Sequence, residues 1–320
     1  MKYEPPKFED LSQMSAIDVQ RLTEEEAREM LEKVRWPNQI ACPHCGGINI
    51  TRLEAKAESV RDGLIQCNDC RQQFTVMVGT IMQGSHITLR QWVQAFHAMC
   101  ASKKGVSALQ LQRNLGIHSY KCAWHLAHRI RLAMKMESLT PTLKGTVEVD
   151  ETYIGGKPKK VDEFGKPIKN KRGRGTKKTP VVALISRRGN MATKVVDTVN
   201  AKNLKEAINE NVSKRATLMT DELPAYNRVG YKKHKSVNHS EGEYSKDGVN
   251  VNSCESFFAL LKRGIHGTFH HISKTHLQRY CNEFSFRWNN RKVTDGERMV
   301  EAVKGAWGKR LTYKPLIQGA

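Results

Sequence analysis

The chain has 320 residues, enough for two or three domains, and its 53 Lys and Arg against 32 Asp and Glu leave a formal net charge of +21. That surplus favours nucleic acid as the partner, because each cation set against a phosphate releases condensed counterion. It speaks against a membrane protein together with the absence of any apolar run near the ~18 residues of a span. Residues 1–10 are acidic and proline-bearing rather than signal-like, so a reducing intracellular setting is expected. The eight cysteines then need an explanation other than disulfides.

Within residues 1–38, Thr23-Glu-Glu-Glu26 has the form of a capping box. Ala27, Met30, Leu31 and Val34 follow at helical spacing as far as Trp36-Pro37, which predicts one surface helix. Residues 39–84 hold Cys42-Pro-His-Cys45 and Cys67-Asn-Asp-Cys70, with 21 residues between the pairs. Each Cys-x-x-Cys offers two thiolates from one tight turn, and four sulfurs close a tetrahedral structural zinc site. One Zn2+ in a ribbon with a long first hairpin is expected; a redox pair would not need the duplicate. His44 reads as a bystander. Cys100, Cys122, Cys254 and Cys281 have no ligand spacing and read as small buried hydrophobes.

Residues 85–138 read as helical. Trp92, Phe96 and Met99 form an apolar stripe, and a short helix at Ala108–Leu111 precedes a turn at Leu115-Gly-Ile117 and a long helix from Ser119. That order fits a helix-turn-helix. On the second helix Tyr120, Lys121, His125, His128, Arg129 and Arg131 are expected in a major groove, while Trp124, Leu126, Ile130 and Met134 bury it. The plainer alternative is a helical hairpin with a solvated basic face.

Thr140–Lys144 reads as a linker into residues 139–295. Gly145–Gly156 predicts a strand with Val147 and Val149 on one face and Glu148, Asp150 and Thr152 on the other. A basic insertion at 155–178 follows, with ten Lys and Arg against Asp162 and Glu163. It is either solvated or an arm gripping nucleic acid, with Lys171, Arg172 and Arg174 at its centre. Strands are expected at 180–186, 191–196 and 216–220, with a helix at 201–212, the order of an α/β domain with a mixed sheet. Residues 296–320 read as a C-terminal tail.

Asp150 stands on the first of these strands, Asp221 at the end of the last, and Glu255 on a helix with Lys262 one face later. Three carboxylates suit two divalent ions, which otherwise repel each other about 3.5–4 Å apart. Hard oxygen ligands select Mg2+ or Mn2+. Two rival readings stay open on residues alone. Asn252 and Glu255 have capping-box spacing, and Glu283, Glu241 or Glu243 compete as third carboxylate, although Glu283 sits four positions before Arg287.

The chain resembles DDE transposases of bacterial insertion sequences, in the ISXO-like group that joins an N-terminal zinc ribbon to an RNase H-like catalytic domain. The resemblance runs through Trp36-Pro-Asn, Cys42-Pro-His-Cys45, Val149-Asp-Glu-Thr-Tyr-Ile-Gly-Gly156, Gly173-Arg-Gly175, Thr179-Pro-Val-Val182, Thr220-Asp221, Asn252-Ser-Cys-Glu-Ser-Phe-Phe-Ala-Leu-Leu-Lys-Arg263, Gly267-Thr-Phe-His-His271 and Phe286-Arg-Trp-Asn-Asn-Arg291. It implies an RNase H-like mixed sheet with flanking helices, preceded by the ribbon and the helix-turn-helix. It implies Asp150, Asp221 and Glu255 as catalytic carboxylates with Lys262, two Mg2+ or Mn2+ per site, and cutting and joining of DNA at terminal inverted repeats. Double-stranded DNA is the implied partner, and a homodimer or higher oligomer the implied assembly. Asn250-Val-Asn252 departs from the His-Thr-Asn-like run of the family, leaving His239 as the nearest histidine. A structure-specific nuclease, or a zinc-ribbon transcriptional regulator without catalysis, is the alternative.

Overall fold

Reciprocal capping fixes the start of the first long helix. The Glu26 carboxylate accepts from the Thr23 backbone N–H at 2.7 Å while Thr23 Oγ1 accepts from Glu26 N–H at 3.2 Å. A computed structural model describes residues 13–53, 62–135, 143–156, 163–164, 166, 176–187, 189–237 and 249–318. They divide into two units, Met1–Lys135 with Asn290–Gly319, and Met136–Asn289.

In the first unit, α1 (Ala16–Arg21) and α2 (Glu24–Arg35) precede a small antiparallel sheet of β1 (Ile50–Arg52), β2 (Ile65–Cys67) and β3 (Gln73–Phe74). The sequence reading missed α1, which has only six residues and buries a single side chain, Val19. Ile65, Cys67, Phe74 and Cys42 form the sheet's core, too small to stand without a staple. Next come α3 (Leu89–Ala101), α4 (Ala108–Leu115) and α5 (Tyr120–Ala133). Gly116 ends α4 with a positive φ of 63°, where a side chain would strain the turn.

Residues 290–318 are not a free tail. They form α9 (Asp295–Lys304) and α10 (Tyr313–Gln318) and return to the first unit. A capping box at Thr294 and Glu297 starts α9, and Met299, Ala302 and Val303 are its buried stripe. Arg298 on α9 donates to the Cys100 carbonyl of α3 at 3.1 Å. Gly305 packs so tightly on the Ala133 carbonyl that a Cβ there would stand 2.2 Å from it.

The second unit carries a five-stranded sheet in the order β6-β5-β4-β7-β8, formed by β4 (Thr146–Ile154), β5 (Thr179–Ser186), β6 (Met191–Val195), β7 (Thr217–Thr220) and β8 (His234–Ser236). The first three strands pair antiparallel, and β7 and β8 run parallel to β4. This mixed order is the RNase H-like sheet. One face packs α6 (Ala201–Asn211) through Val147, Val149, Leu184, Leu204 and Ile208. The other packs α7 (Asn252–Gly264) and α8 (Lys274–Asn289) through Val181, Ala183, Phe257, Leu261 and Phe284. The alternation along β4 assigns its residues to these two faces as the sequence pattern requires. No helix among the described residues is long and apolar enough to cross a membrane.

Candidate active site and zinc ribbon

Register brings the first two acids together. Glu148 on β4 lies beside Met219 on β7, so two residues further Asp150 lies beside Asp221, where β7 has just ended. Adjacent strands are about 4.8 Å apart. Carboxylate oxygens of Asp150, Glu151 and Asp221 all fall within 4.8 Å of one another. Asp221 Oδ1 accepts from the Leu223 N–H at 3.1 Å, which fixes its rotamer at the strand end. Asp150 Oδ1 accepts from the Glu151 N–H at 2.7 Å.

Glu151 is the acid that sequence reasoning missed. Alternation turns it to the opposite face from Asp150, which hid it. Because β7 stops at Thr220, its carboxylate nevertheless reaches the cluster, and the buried Tyr226 hydroxyl donates to its Oε2 at 2.9 Å. Burial, and then the Glu151 charge, hold the Tyr226 phenol well above its ordinary pKa, so it stays a donor.

Glu255 arrives on α7. The capping-box alternative fails: the N-cap is Val251, without a side-chain cap, and Asn252 is the first helical residue. The cap comes from the sheet instead. The buried Glu148 carboxylate accepts from Ser253 N–H at 2.8 Å and from Arg187 Nε at 2.8 Å. Arg187 also donates to the Asn250 carbonyl at 3.2 Å. Cys254, fully buried, sets its Sγ 3.8 Å from the Ala183 carbonyl, the residue opposite Asp150 on β5. Glu255 is left exposed, close enough for its charge to act on Asp150. Lys262, two turns later, is exposed as well. Glu283 is removed from contention by its buried ion pair with Arg287.

The electrostatics are those of a crowded anionic site. Burial first, then the charges of Glu151, Asp221 and Glu255, push the Asp150 carboxyl up to about 7. Oxygen-only donors at this spacing fit a hard divalent cation, whose oxygen ligands stand up to about 4.2 Å apart across an octahedron. Asp150, Glu151 and Asp221 would hold it; Glu255, expected as the third ligand, lies outside this 4.8 Å group and acts on Asp150 through its charge.

In the ribbon, Cys42 and Cys70 Sγ lie 3.7 Å apart, and Cys45 and Cys67 Sγ 3.6 Å. A tetrahedral Zn2+ with bonds of about 2.3 Å spaces its sulfurs by about 3.8 Å. Backbone N–H groups of His44 and Gly47 donate to Cys42 and Cys45 Sγ at 3.4 Å each. The four sulfurs are thus set for Zn2+, and His44 is exposed beside them.

The helix-turn-helix reading needs correction at several residues. Arg129 is buried, donating from Nε to the Leu311 carbonyl at 3.2 Å and from Nη2 to the Gln83 carbonyl at 3.1 Å. His128 and Arg131 are buried too. The partners of Arg129 come from outside the hairpin, which periodicity within α5 cannot reveal. Tyr120 and Lys121 are exposed, Leu126, Ile130 and Met134 are buried as expected, and Trp124 is half-buried. Cys122 is exposed, against expectation, while Cys100, Cys254 and Cys281 are buried. Lys171, Arg172 and Arg174, with His239, Glu241 and Glu243, lie outside the described residues.

Known proteins with the same parts bear on the class. Residues 142–289 match the ISXO2-like transposase domain, and residues 22–73 match the transposase zinc-ribbon domain. A relative from Halobacterium salinarum, described as an uncharacterized protein in transposable element ISH50, is 28% identical over 279 residues, covering 83% of this chain and 91% of its own. Two solved Mos1 structures are also similar. A pre-cleavage transpososome has 14% identity, covers 68% of this chain and 80% of its own, and gives a TM-score of 0.24. A strand transfer complex has 13% identity, coverages of 68% and 79%, and a TM-score of 0.23. Likeness at those scores carries no weight here.

An RNase H-like sheet with acids clustered between β4 and the end of β7, matched over residues 142–289 by a transposase domain model, is the architecture of a DDE transposase. Within that class, residues 142–289 are similar to the ISXO2-like transposase domain of insertion sequences and residues 22–73 to the zinc ribbon of such transposases.

Proposed function

We propose that this transposase cuts the ends of its own element and joins them to target DNA by phosphoryl transfer in the second unit. The carrying observation is the convergence of the Asp150, Glu151 and Asp221 carboxylates within 4.8 Å, with Glu255 acting on Asp150 from α7. Two Mg2+ or Mn2+ ions bound there would activate the attacking oxygen and stabilise the leaving one in an in-line displacement. Asp150, midway along β4, and Asp221, just past the end of the adjacent β7, would hold that pair, and Glu255 from α7 would complete the ligand set. Lys262 holds a flanking phosphate.

Water attacks phosphorus at the element end, the P–O3′ bond breaks, and a 3′-hydroxyl leaves. That hydroxyl then attacks a target phosphodiester; a new P–O bond forms and the target's own 3′-oxygen departs with a proton. No covalent enzyme intermediate is needed. The ribbon, with one structural Zn2+, and the α4–α5 hairpin read terminal inverted repeats, Tyr120 and Lys121 reaching the duplex. Lys171, Arg172 and Arg174 grip backbone from the basic insertion. Two ends cut together call for a dimer or higher assembly on DNA, acting in the cytoplasm at the nucleoid.

A paired-end DNA assay tests the reading. Asp221→Ala should abolish cutting and joining while duplex affinity stays within about twofold, as expected when a residue acts only on the reacting phosphate. Joined product surviving in that variant would contradict the assignment. Cutting without any joining by the wild type would point to a nuclease, and binding without cutting to a regulator.

A further inference from the structure

The basic stripe that α5 offers in sequence is largely taken up inside the first unit. What covers it is the C-terminal segment. The Leu311 carbonyl accepts from His125 Nε2 at 3.0 Å and from Arg129 Nε at 3.2 Å. The Tyr313 ring packs edge-on to Trp124 and His125, at 6.3 and 5.6 Å between centroids. Lys121 Nζ sits 4.2 Å over the same ring. Lys309 donates to the Leu132 carbonyl at 3.3 Å, and Leu311 and Leu316 are buried. The segment is therefore fixed against α5 along its length, so the ordering cost of using it as a binding surface is already met.

Fixing the segment also exposes its own cations. Arg310, Thr312 and Lys314 alternate with the inward Leu311 and Tyr313, and all three are exposed. Arg310 stands near enough for its charge to act on Arg129, so two guanidinium groups share this corner. From Lys304 to Gln318 the chain holds Lys304, Lys309, Arg310 and Lys314 and no acid. Beside them lie Tyr120 and Lys121 at the exposed start of α5.

We propose that the C-terminal segment is part of the DNA-contacting surface of the first unit, with Arg310 and Lys314 holding the phosphate backbone of a duplex next to Tyr120 and Lys121. This rests on the reading that α5 meets DNA. The segment replaces outside the cation that it buries beneath, Arg129. Its contacts are to phosphate, so they carry affinity and register rather than base sequence.

The test uses the full zinc-loaded chain and a mixed-sequence 30-base-pair duplex, which suffices for backbone contacts. Arg310→Ala with Lys314→Ala should weaken binding about tenfold near 0.1 M salt, and lower the slope of log affinity against log salt by roughly 1.8, two phosphate contacts' worth. Unfolding temperature should not move, since both side chains are exposed. A control pair on α6, Lys202→Ala with Lys205→Ala, removes the same charge elsewhere and should change the slope by less than half as much. Equal losses in the two pairs would overturn the proposal, because charge alone would then explain it. If Lys121→Ala weakens binding and the C-terminal pair does not, the segment is excluded while the α5 reading stands. If none of these variants weakens binding, both fall.

Discussion

Asp150 is the residue on which burial and three neighbouring negative charges act at once, and it is held at about 7 in place of an ordinary 3.8. The sign of the consequence follows from linkage. The folded state keeps a proton that the unfolded chain gives up, so without metal the carboxyl's cost is absent below about pH 4, grows through the interval and is complete above about pH 7. At about 1.4 kcal/mol per unit, the total is on the order of 4 kcal/mol. Metal-free wild type should lose stability from pH 5 to pH 8 relative to Asp150→Asn, measured by thermal unfolding, and millimolar Mg2+ should remove the difference. Parallel curves for the two proteins would show that Asp150 is not under this strain. Tyr226→Phe offers a second residue-scale check: Glu151 loses its donor, and Mn2+ affinity should fall several-fold with the sheet intact. Glu151 was not legible as a site residue because strand alternation alone puts it on the wrong face. Its place in the cluster depends on where β7 stops.

At the scale of elements, α7 is held by a carboxylate from the strand it crosses rather than by a cap of its own. Glu148→Ala would leave Arg187 and the Ser253 N–H without that acceptor, and breaking a buried pair costs about 3–5 kcal/mol. Glu148→Gln keeps an acceptor for Ser253 and should recover part of the loss. The expected readout beyond stability is weaker Mn2+ binding, because Glu255 rides on this helix; unchanged Mn2+ affinity in a folded Glu148→Gln or Glu148→Ala protein would separate the cap from the site. The sequence pattern showed which face of α7 is buried, through Phe257, Phe258 and Leu261, but not what starts the helix, since the partner lies 105 positions away. The ribbon was legible almost entirely, because each pair of sulfurs is set by one local turn. Metal analysis should find about one zinc per chain, and Cys67→Ser should unfold the ribbon as followed by protease sensitivity.

For the whole molecule, the succession of strands along the second unit came through from hydrophobic alternation and turn residues, apart from the three-residue β8, while their order within the sheet did not. Asp150 and Asp221 were legible because each stands on or just past a strand with a clear apolar pattern, in the motifs that carry the family resemblance. The fate of residues 290–318 was hidden for the opposite reason. Their partners on α3 and α5 lie almost two hundred positions upstream, as in the contact between Arg298 and Cys100. No local period records such a distance. The same return of the chain buries Arg129, so the groove-facing stripe read from α5 was too generous, and the +21 charge must meet DNA through other residues.

The central claim is that acids from β4, the end of β7 and α7 share divalent cations. Anomalous diffraction at the manganese edge, from crystals of the full chain grown with Mn2+, reads that directly. The account predicts manganese peaks bounded by Asp150 and Asp221 with Glu255 at coordinating distance. Peaks elsewhere, or none at millimolar Mn2+ and pH 8, would contradict it.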